Sequence, residues 1–284
     1  MSLGKLFSHV KFYFKYALYY SYCGIVASIL LPYVLLHPMD VLNQLPFAKL
    51  SMPLIPVLGL SYEIRGREQL ALDRACIIVA NHQSAFDFMG MIRVWPIMRK
   101  CALVAKKLLF YGWPTGLSAW LSGTIFIDKK NWQKYGRILE DAIRAYKEQK
   151  VKVWIFPEGT RYHEGGIHEF KRGAFYMAIK LQLPILPVVY SEYYFLSIKE
   201  KRFDSGMRAT SNPNLLKQPL NRVDPFEGKI IMKALPAIPT EGLELEDVPE
   251  LMAKTRSLMT ETYDSLNEEL RASLSQEESH RRGS

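Results

Sequence analysis

The sequence predicts an α/β protein carrying an N-terminal membrane-embedded helical segment. Three observations point that way: short apolar runs alternate with helical stretches after residue 60, two of those stretches carry an apolar stripe, and the chain opens with a long uncharged run. With 284 residues, 49% of them hydrophobic, the chain can bury one sizeable core, while a second full domain would be cramped. The expected organisation is a membrane anchor over 1–60, one α/β domain over 61–240, and a C-terminal stretch over 241–284 holding an amphipathic helix and a disordered tail.

The anchor rests on the run YALYYSYCGIVASILLPYVLL, residues 16–36, which has no formal charge and is long enough to cross a hydrocarbon core roughly 30 Å thick. It exceeds the apolar core of a cleaved signal peptide and ends at HPMD without a small-residue cleavage pattern, so retention is expected. Tyrosines crowd its start, and Lys5, Lys11 and Lys15 precede it, as at a cytosolic membrane face. Within 45–60, the stretch LSMPLIPVLGL is too short to span and carries Pro53 and Pro56, which suits a re-entrant or interfacial segment. Together the two could dip into the bilayer and return, leaving the remainder on the cytosolic side.

In the α/β part, ACIIVA (75–80), GTIFI (123–127), VKVWIF (151–156) and PILPVV (184–189) read as buried strands, and KIIMKALP (229–236) as a late one. Between Asn131 and Gln149, Trp132, Tyr135, Ile138, Leu139, Ala142, Ile143 and Tyr146 recur at helical spacing. Val248 to Leu270 repeats the pattern through Leu251, Met252, Thr255, Leu258, Met259, Tyr263 and Leu266. The closing SQEESHRRGS is polar and aperiodic and is expected to be disordered.

A formal charge of +9 draws the molecule to polyanions: nucleic acid, an anionic membrane or phosphorylated substrates. No aromatic–basic motif supports nucleic acid, so membrane lipids and a phosphorylated small molecule are the expected partners. The three cysteines, Cys23, Cys76 and Cys101, form no CxxC pair, and neither a disulfide framework nor a zinc cluster is indicated.

Two strand ends carry the chemistry. ACIIVA runs straight into NHQSAFD, which places Asn81 and His82 where α/β proteins present reactive groups. His82 and Asp87 stand five residues apart, about 500° of helical turn, so they meet only if His82 precedes the helix and the chain turns between them. Ser84 is a candidate N-cap for that helix, and SAFD equally fits a capping box in which Asp87 only satisfies a backbone N–H. The second strand end is FPEGTR (156–161): Pro157 and Gly159 make a tight turn, and Glu158, Thr160 and Arg161 lie on it, as a phosphate seat or as a solvated turn. Lys129 follows a third strand and is another candidate phosphate contact, while Lys106, Lys107, Lys171 and Arg172 add to the positive field.

Taken together and in order, these blocks resemble the glycerolipid acyltransferase family, and within it the 1-acylglycerol-3-phosphate (lysophosphatidate) acyltransferases. NHQSAFD is similar to the family's His-x4-Asp motif, GTIFIDK to its second block, FPEGTR to its Glu-Gly-Thr-Arg motif and LPILPVV to its fourth block; FKRGAF (170–175) and PAIPTEGLELEDVPEL (236–251) look like the eukaryotic branch. The likeness covers roughly residues 60 to 260. One departure is Lys129, where the family usually has Arg, which keeps the charge but loses the bidentate fork.

The resemblance implies a mixed central sheet flanked by helices, an acyltransferase domain over 61–240, and residence in a membrane, that of the endoplasmic reticulum. It implies direct transfer of an acyl group from acyl-CoA to the sn-2 hydroxyl of lysophosphatidic acid, giving phosphatidic acid and CoA. His82 would act as general base with Asp87 holding it, and Lys129, Glu158, Gly159, Thr160 and Arg161 would bind the acceptor. No cofactor or metal is expected, acyl-CoA being a co-substrate. Glycerol 3-phosphate or another lysophospholipid is the alternative acceptor, and a non-catalytic lipid-binding protein the alternative of another class. A hydrolase finds only GLSAW around Ser118, which lacks the closing glycine, and a zinc site only His163, Glu164 and His168 on a glycine-broken loop.

Overall fold

The computed structural model describes residues 3–128, 132–163, 165–205 and 228–282. Among them the elements run α1 (Leu3–Leu36), α2 (Gln44–Ser51), α3 (Leu54–Val57), β1 (Leu60–Arg65), α4 (Arg67–Ala71), β2 (Ile77–Ala80), α5 (Asp87–Met98), β3 (Cys101–Lys106), α6 (Thr115–Leu121), β4 (Ile125–Ile127), α7 (Trp132–Glu148), β5 (Lys152–Ile155), α8 (Gly173–Lys180), β6 (Ile185–Tyr190), β7 (Leu196–Ser197), β8 (Arg202–Phe203), β9 (Gly228–Ala234) and α9 (Val248–Arg282). The expected α/β architecture is borne out, with a seven-stranded sheet in the order β1-β9-β6-β2-β5-β3-β4. Five of its six strand pairings are parallel and the β6–β9 pair is antiparallel, so the sheet is mixed.

Strand β2 lies at the centre and is buried along its length, as a run of β-branched residues between two helical layers should be. Alternate side chains feed opposite cores. Ile78 and Ala80 pack with residues of α1 to α5, while Ile77 and Val79 pack with residues of α7, α8 and α9. Because β2 and β5 are adjacent and parallel, the loops that follow them leave from one sheet edge, and this positions the site.

The expected strands appear within a few residues of their predicted bounds. Two six-residue strands, β1 and β3, were not expected: β1, LSYEIR, is half-buried after its first residue and lies at the sheet edge, so its sequence mixes polar and apolar residues without a clear signal. α9 extends to Arg282, so the closing residues expected to be disordered are helical that far, the extension adding turns to an already nucleated helix.

α1 includes the predicted apolar run and begins earlier, at Leu3. It is long and apolar enough to cross a membrane, yet one stripe of it, Phe12, Lys15, Tyr19, Cys23, Val26, Ala27 and Val34, is buried against the rest of the protein. The opposite side exposes Val10, Tyr13, Phe14, Ile25, Ile29 and Leu36. Lys15, expected to mark a charged flank, is instead buried: its ammonium donates to the carbonyl of Leu58 at 2.7 Å, to Ser205 Oγ at 2.9 Å and to the Ser205 carbonyl, and so ties α1 to the α/β domain. The segment 45–60 forms α2 and α3, whose Phe47, Ala48, Leu54 and Ile55 are buried in the protein while Leu50 and Val57 are exposed.

Candidate active site

The dyad forms, and the chain geometry is the one the five-residue spacing requires. His82 sits in the loop after β2, the chain turns through 83–86, and Asp87 is the first residue of α5. His82 Nδ1 lies 2.7 Å from Asp87 Oδ2. The same oxygen accepts from the backbone N–H groups of Gln83 at 2.8 Å and Ser84 at 3.1 Å. Ser84 does not take the cap position beside the helix, which Phe86 occupies; its Oγ accepts from the Phe86 N–H at 3.3 Å and closes the turn. The Asp87 to Ser84 half of the capping box is present, so capping and the His–Asp contact coexist on one oxygen.

Burial separates the two roles. The Asp87 side chain is 1% exposed and that of His82 19%. With Nδ1 engaged by the carboxylate, Nε2 is the nitrogen left to take a proton from a substrate. The imidazole stacks on Phe156, ring centroids 4.1 Å apart and planes 20° from parallel, which fixes the ring's second face.

Neighbouring amides hold the loop. Asn81 imitates a strand pair with Tyr190, its Nδ2 donating to the Tyr190 carbonyl at 3.0 Å and its Oδ1 accepting from the Tyr190 N–H at 2.8 Å. Gln83 Nε2 donates to the Ser191 carbonyl at 2.9 Å. These side chains extend the β2–β6 ladder beyond the last regular residue, so His82 is carried on a rigid strand end.

The 156–161 block closes on His82 from the β5 side, and Glu158 has a different place from the one its sequence suggested. Its carboxylate, only 2% exposed, accepts from the His82 N–H at 2.7 Å through Oε1 and from the His168 N–H at 3.3 Å through Oε2. With both oxygens on backbone amides, Glu158 braces the loop that carries His82. Burial pushes its carboxyl up to about 7, against the pull of those two donors. Tyr162 N–H donates to the His82 carbonyl at 2.8 Å, so the block grips His82 at both of its backbone polar groups. Gly159 adopts φ 69°, a left-handed turn conformation that costs glycine least.

Thr160 and Arg161 are exposed at the tip of this turn, and Arg161 makes no hydrogen bond or ion pair among the described residues. Its positive charge is felt by the hydroxyls of Tyr16 and Tyr19 on α1. Lys129 falls outside the described residues. His168 stacks on Tyr162 at 4.8 Å, Glu164 of the weighed zinc trio lies outside the described residues, and Ser118 lies within α6. A small cavity of about 40 Å³ between α2, α5 and α6, lined by Phe47, Phe88, Trp95, Leu103 and Ser118, includes none of the dyad or of residues 158–161. Sequence reasoning missed Phe156 as a ring partner and the bracing by Asn81 and Gln83, although both amides flank His82 in NHQS and could have been found there.

Known proteins resemble this chain in sequence and in fold. Residues 61–191 match the acyltransferase family. The chain is 32% identical over 258 residues to the 1-acyl-sn-glycerol-3-phosphate acyltransferase alpha of Homo sapiens, covering 90% of this chain and 83% of that protein. It is 29% identical over 238 residues to the 1-acyl-sn-glycerol-3-phosphate acyltransferase of Escherichia coli, covering 84% and 87%. The crystal structure of a 1-acyl-sn-glycerophosphate acyltransferase from Thermotoga maritima shares the fold at a TM-score of 0.63 and 21% identity, covering 93% of this chain and 96% of that one.

Proposed function

The chain belongs to the 1-acyl-sn-glycerol-3-phosphate acyltransferase family, and from that premise we propose that it transfers a fatty acyl group from acyl-CoA to the sn-2 hydroxyl of lysophosphatidic acid, giving phosphatidic acid and CoA. The observation that carries the chemistry is the His82–Asp87 pair: one ring nitrogen held at 2.7 Å by a buried carboxylate, the ring partly open to solvent. His82 Nε2 removes the hydroxyl proton as the oxygen attacks the thioester carbonyl. Asp87 stabilises the imidazolium that forms, and the C–S bond breaks as the proton passes to the departing CoA thiolate. Arg161 and Thr160 at the exposed turn seat the acceptor's phosphate; Gly159 sets the turn, and Lys129 joins the seat on the strength of the resemblance. Glu158 supports the reaction by holding His82.

α1 supports membrane attachment. Its buried stripe from Phe12 to Val34 covers about 33 Å of helix, so the length that could cross a bilayer runs alongside the α/β domain. The polar surface and loops of such a domain would be unpaired in hydrocarbon, so α1 lies along the membrane face with its exposed apolar side in lipid, in place of the span over 16–36. The organelle, the endoplasmic reticulum, rests on the resemblance to the eukaryotic branch.

The test is CoA release by the full chain in phosphatidylcholine vesicles, with oleoyl-CoA and a panel of lysophosphatidate, lysophosphatidylcholine and glycerol 3-phosphate. Lysophosphatidate should be the strongest acceptor; equal or faster turnover of another would overturn the acceptor assignment.

A further inference from the structure

Three tyrosyl hydroxyls from three different elements converge on the turn that joins His82 to its carboxylate. Tyr19 of α1 donates to the Ala85 carbonyl at 3.2 Å, Tyr62 of β1 to the Phe86 carbonyl at 2.9 Å, and Tyr190 of β6 to the Asp87 carbonyl at 3.1 Å. The first two of these carbonyls already receive bonds from the starting helix, Phe88 N–H to Ala85 at 3.4 Å and Met89 N–H to Phe86 at 2.9 Å. The tyrosines are therefore second donors supplied from outside it. They fix the backbone of 85–87, and with it the Asp87 side chain that Oδ2 brings onto His82, Gln83 and Ser84.

The Tyr19 arm differs from the other two because it comes from the helix that meets the membrane. The rings of Tyr16 and Tyr19 both pack on Phe86, with centroids at 4.9 and 5.1 Å, and Phe86 immediately precedes Asp87. Tyr19 is 6% exposed and lies on the stripe of α1 that faces the α/β domain. The N-terminal helix thus touches the catalytic turn at a backbone carbonyl and at a side chain.

We propose that Tyr19 is a positioning residue for acyl transfer, holding the 85–87 turn so that Asp87 meets His82, and that α1 is structural support for the active site as well as an anchor. The proposal rests on the dyad reading above. A hydroxyl that only stabilised the fold would change thermal stability and leave turnover alone. One that places the dyad lowers kcat without disturbing substrate affinity, because the acceptor's phosphate is seated elsewhere, at 159–161.

Tyr19→Phe removes the hydroxyl and keeps the ring on Phe86. In the vesicle assay with lysophosphatidate and oleoyl-CoA, its kcat should fall about three- to tenfold, as expected for one neutral hydrogen bond, with both KM values unchanged. Tyr13→Phe, on the exposed side of the same helix, should match the wild type. The proposal is overturned if Tyr19→Phe keeps kcat within about twofold of the wild type, if KM rises while kcat holds, or if Tyr13→Phe loses as much. His82→Ala in the same series separates the two ideas: inactive His82→Ala beside fully active Tyr19→Phe removes only the positioning role, whereas active His82→Ala removes the dyad and this proposal with it.

Discussion

Asp87 Oδ2 lies 2.7 Å from His82 Nδ1 and at the same time accepts from the Gln83 and Ser84 N–H groups at 2.8 and 3.1 Å. One oxygen thus ends the loop, caps the helix and holds the His82 ring, which is why the spacing alone left capping and catalysis both open. Asp87→Asn separates the roles, because an amide oxygen can keep part of the turn but carries no charge to stabilise an imidazolium. The kcat of Asp87→Asn in CoA release should fall by at least about 100-fold. A loss below tenfold, with the fold intact by circular dichroism, would reassign Asp87 to capping.

Glu158 gives a pH signature. Its carboxyl is pushed up to about 7 from an ordinary 4.5, so between those values the folded chain holds a proton that the unfolded chain has released. Its contribution to stability is therefore full below about pH 4.5, declines as pH rises toward 7, and is level above. Thermal melts of Glu158→Gln and wild type between about pH 5 and 8 should differ in slope, the variant's being flatter. Parallel curves would mean that Glu158 does not titrate in that window.

Gly90 faces the ring of Tyr190, and a Cβ there would meet Tyr190 Cε1 at 2.4 Å and its hydroxyl at 2.9 Å. Tyr190 is fully buried and cannot swing clear. Gly90→Ala should cost about 1–3 kcal/mol of stability through overpacking, offset only in part by alanine's better helix propensity. Melting temperature measures it, and a variant as stable as the wild type would show that the ring can move.

Arg161→Ala should raise the KM for lysophosphatidate several-fold while kcat changes little, since the guanidinium is proposed to bind the phosphate equally in ground and transition states. A KM unchanged for this acceptor would remove Arg161 from the phosphate seat.

The α/β class, the central strand and the loop position of His82 were legible in the sequence because they follow from local patterns: a continuous apolar run, a motif directly after it, and a turn forced by five-residue spacing. The role of Glu158 was not, because its partners are backbone amides of loops 76 and 10 residues away in sequence. Lys15 was misread for a related reason: a lysine before an apolar run looks like a flank until the carbonyls of Leu58 and Ser205 are seen around it. The tyrosine clamp was equally invisible, since Tyr19, Tyr62 and Tyr190 share no motif and meet only through the fold.

The most direct test of the central claim is the turnover of His82→Ala with lysophosphatidate and oleoyl-CoA, in protein whose melting curve matches the wild type. Loss of the general base should reduce kcat by about 100- to 10,000-fold with the KM for lysophosphatidate little changed. Turnover within about tenfold of wild type would contradict the assignment of His82 as the base.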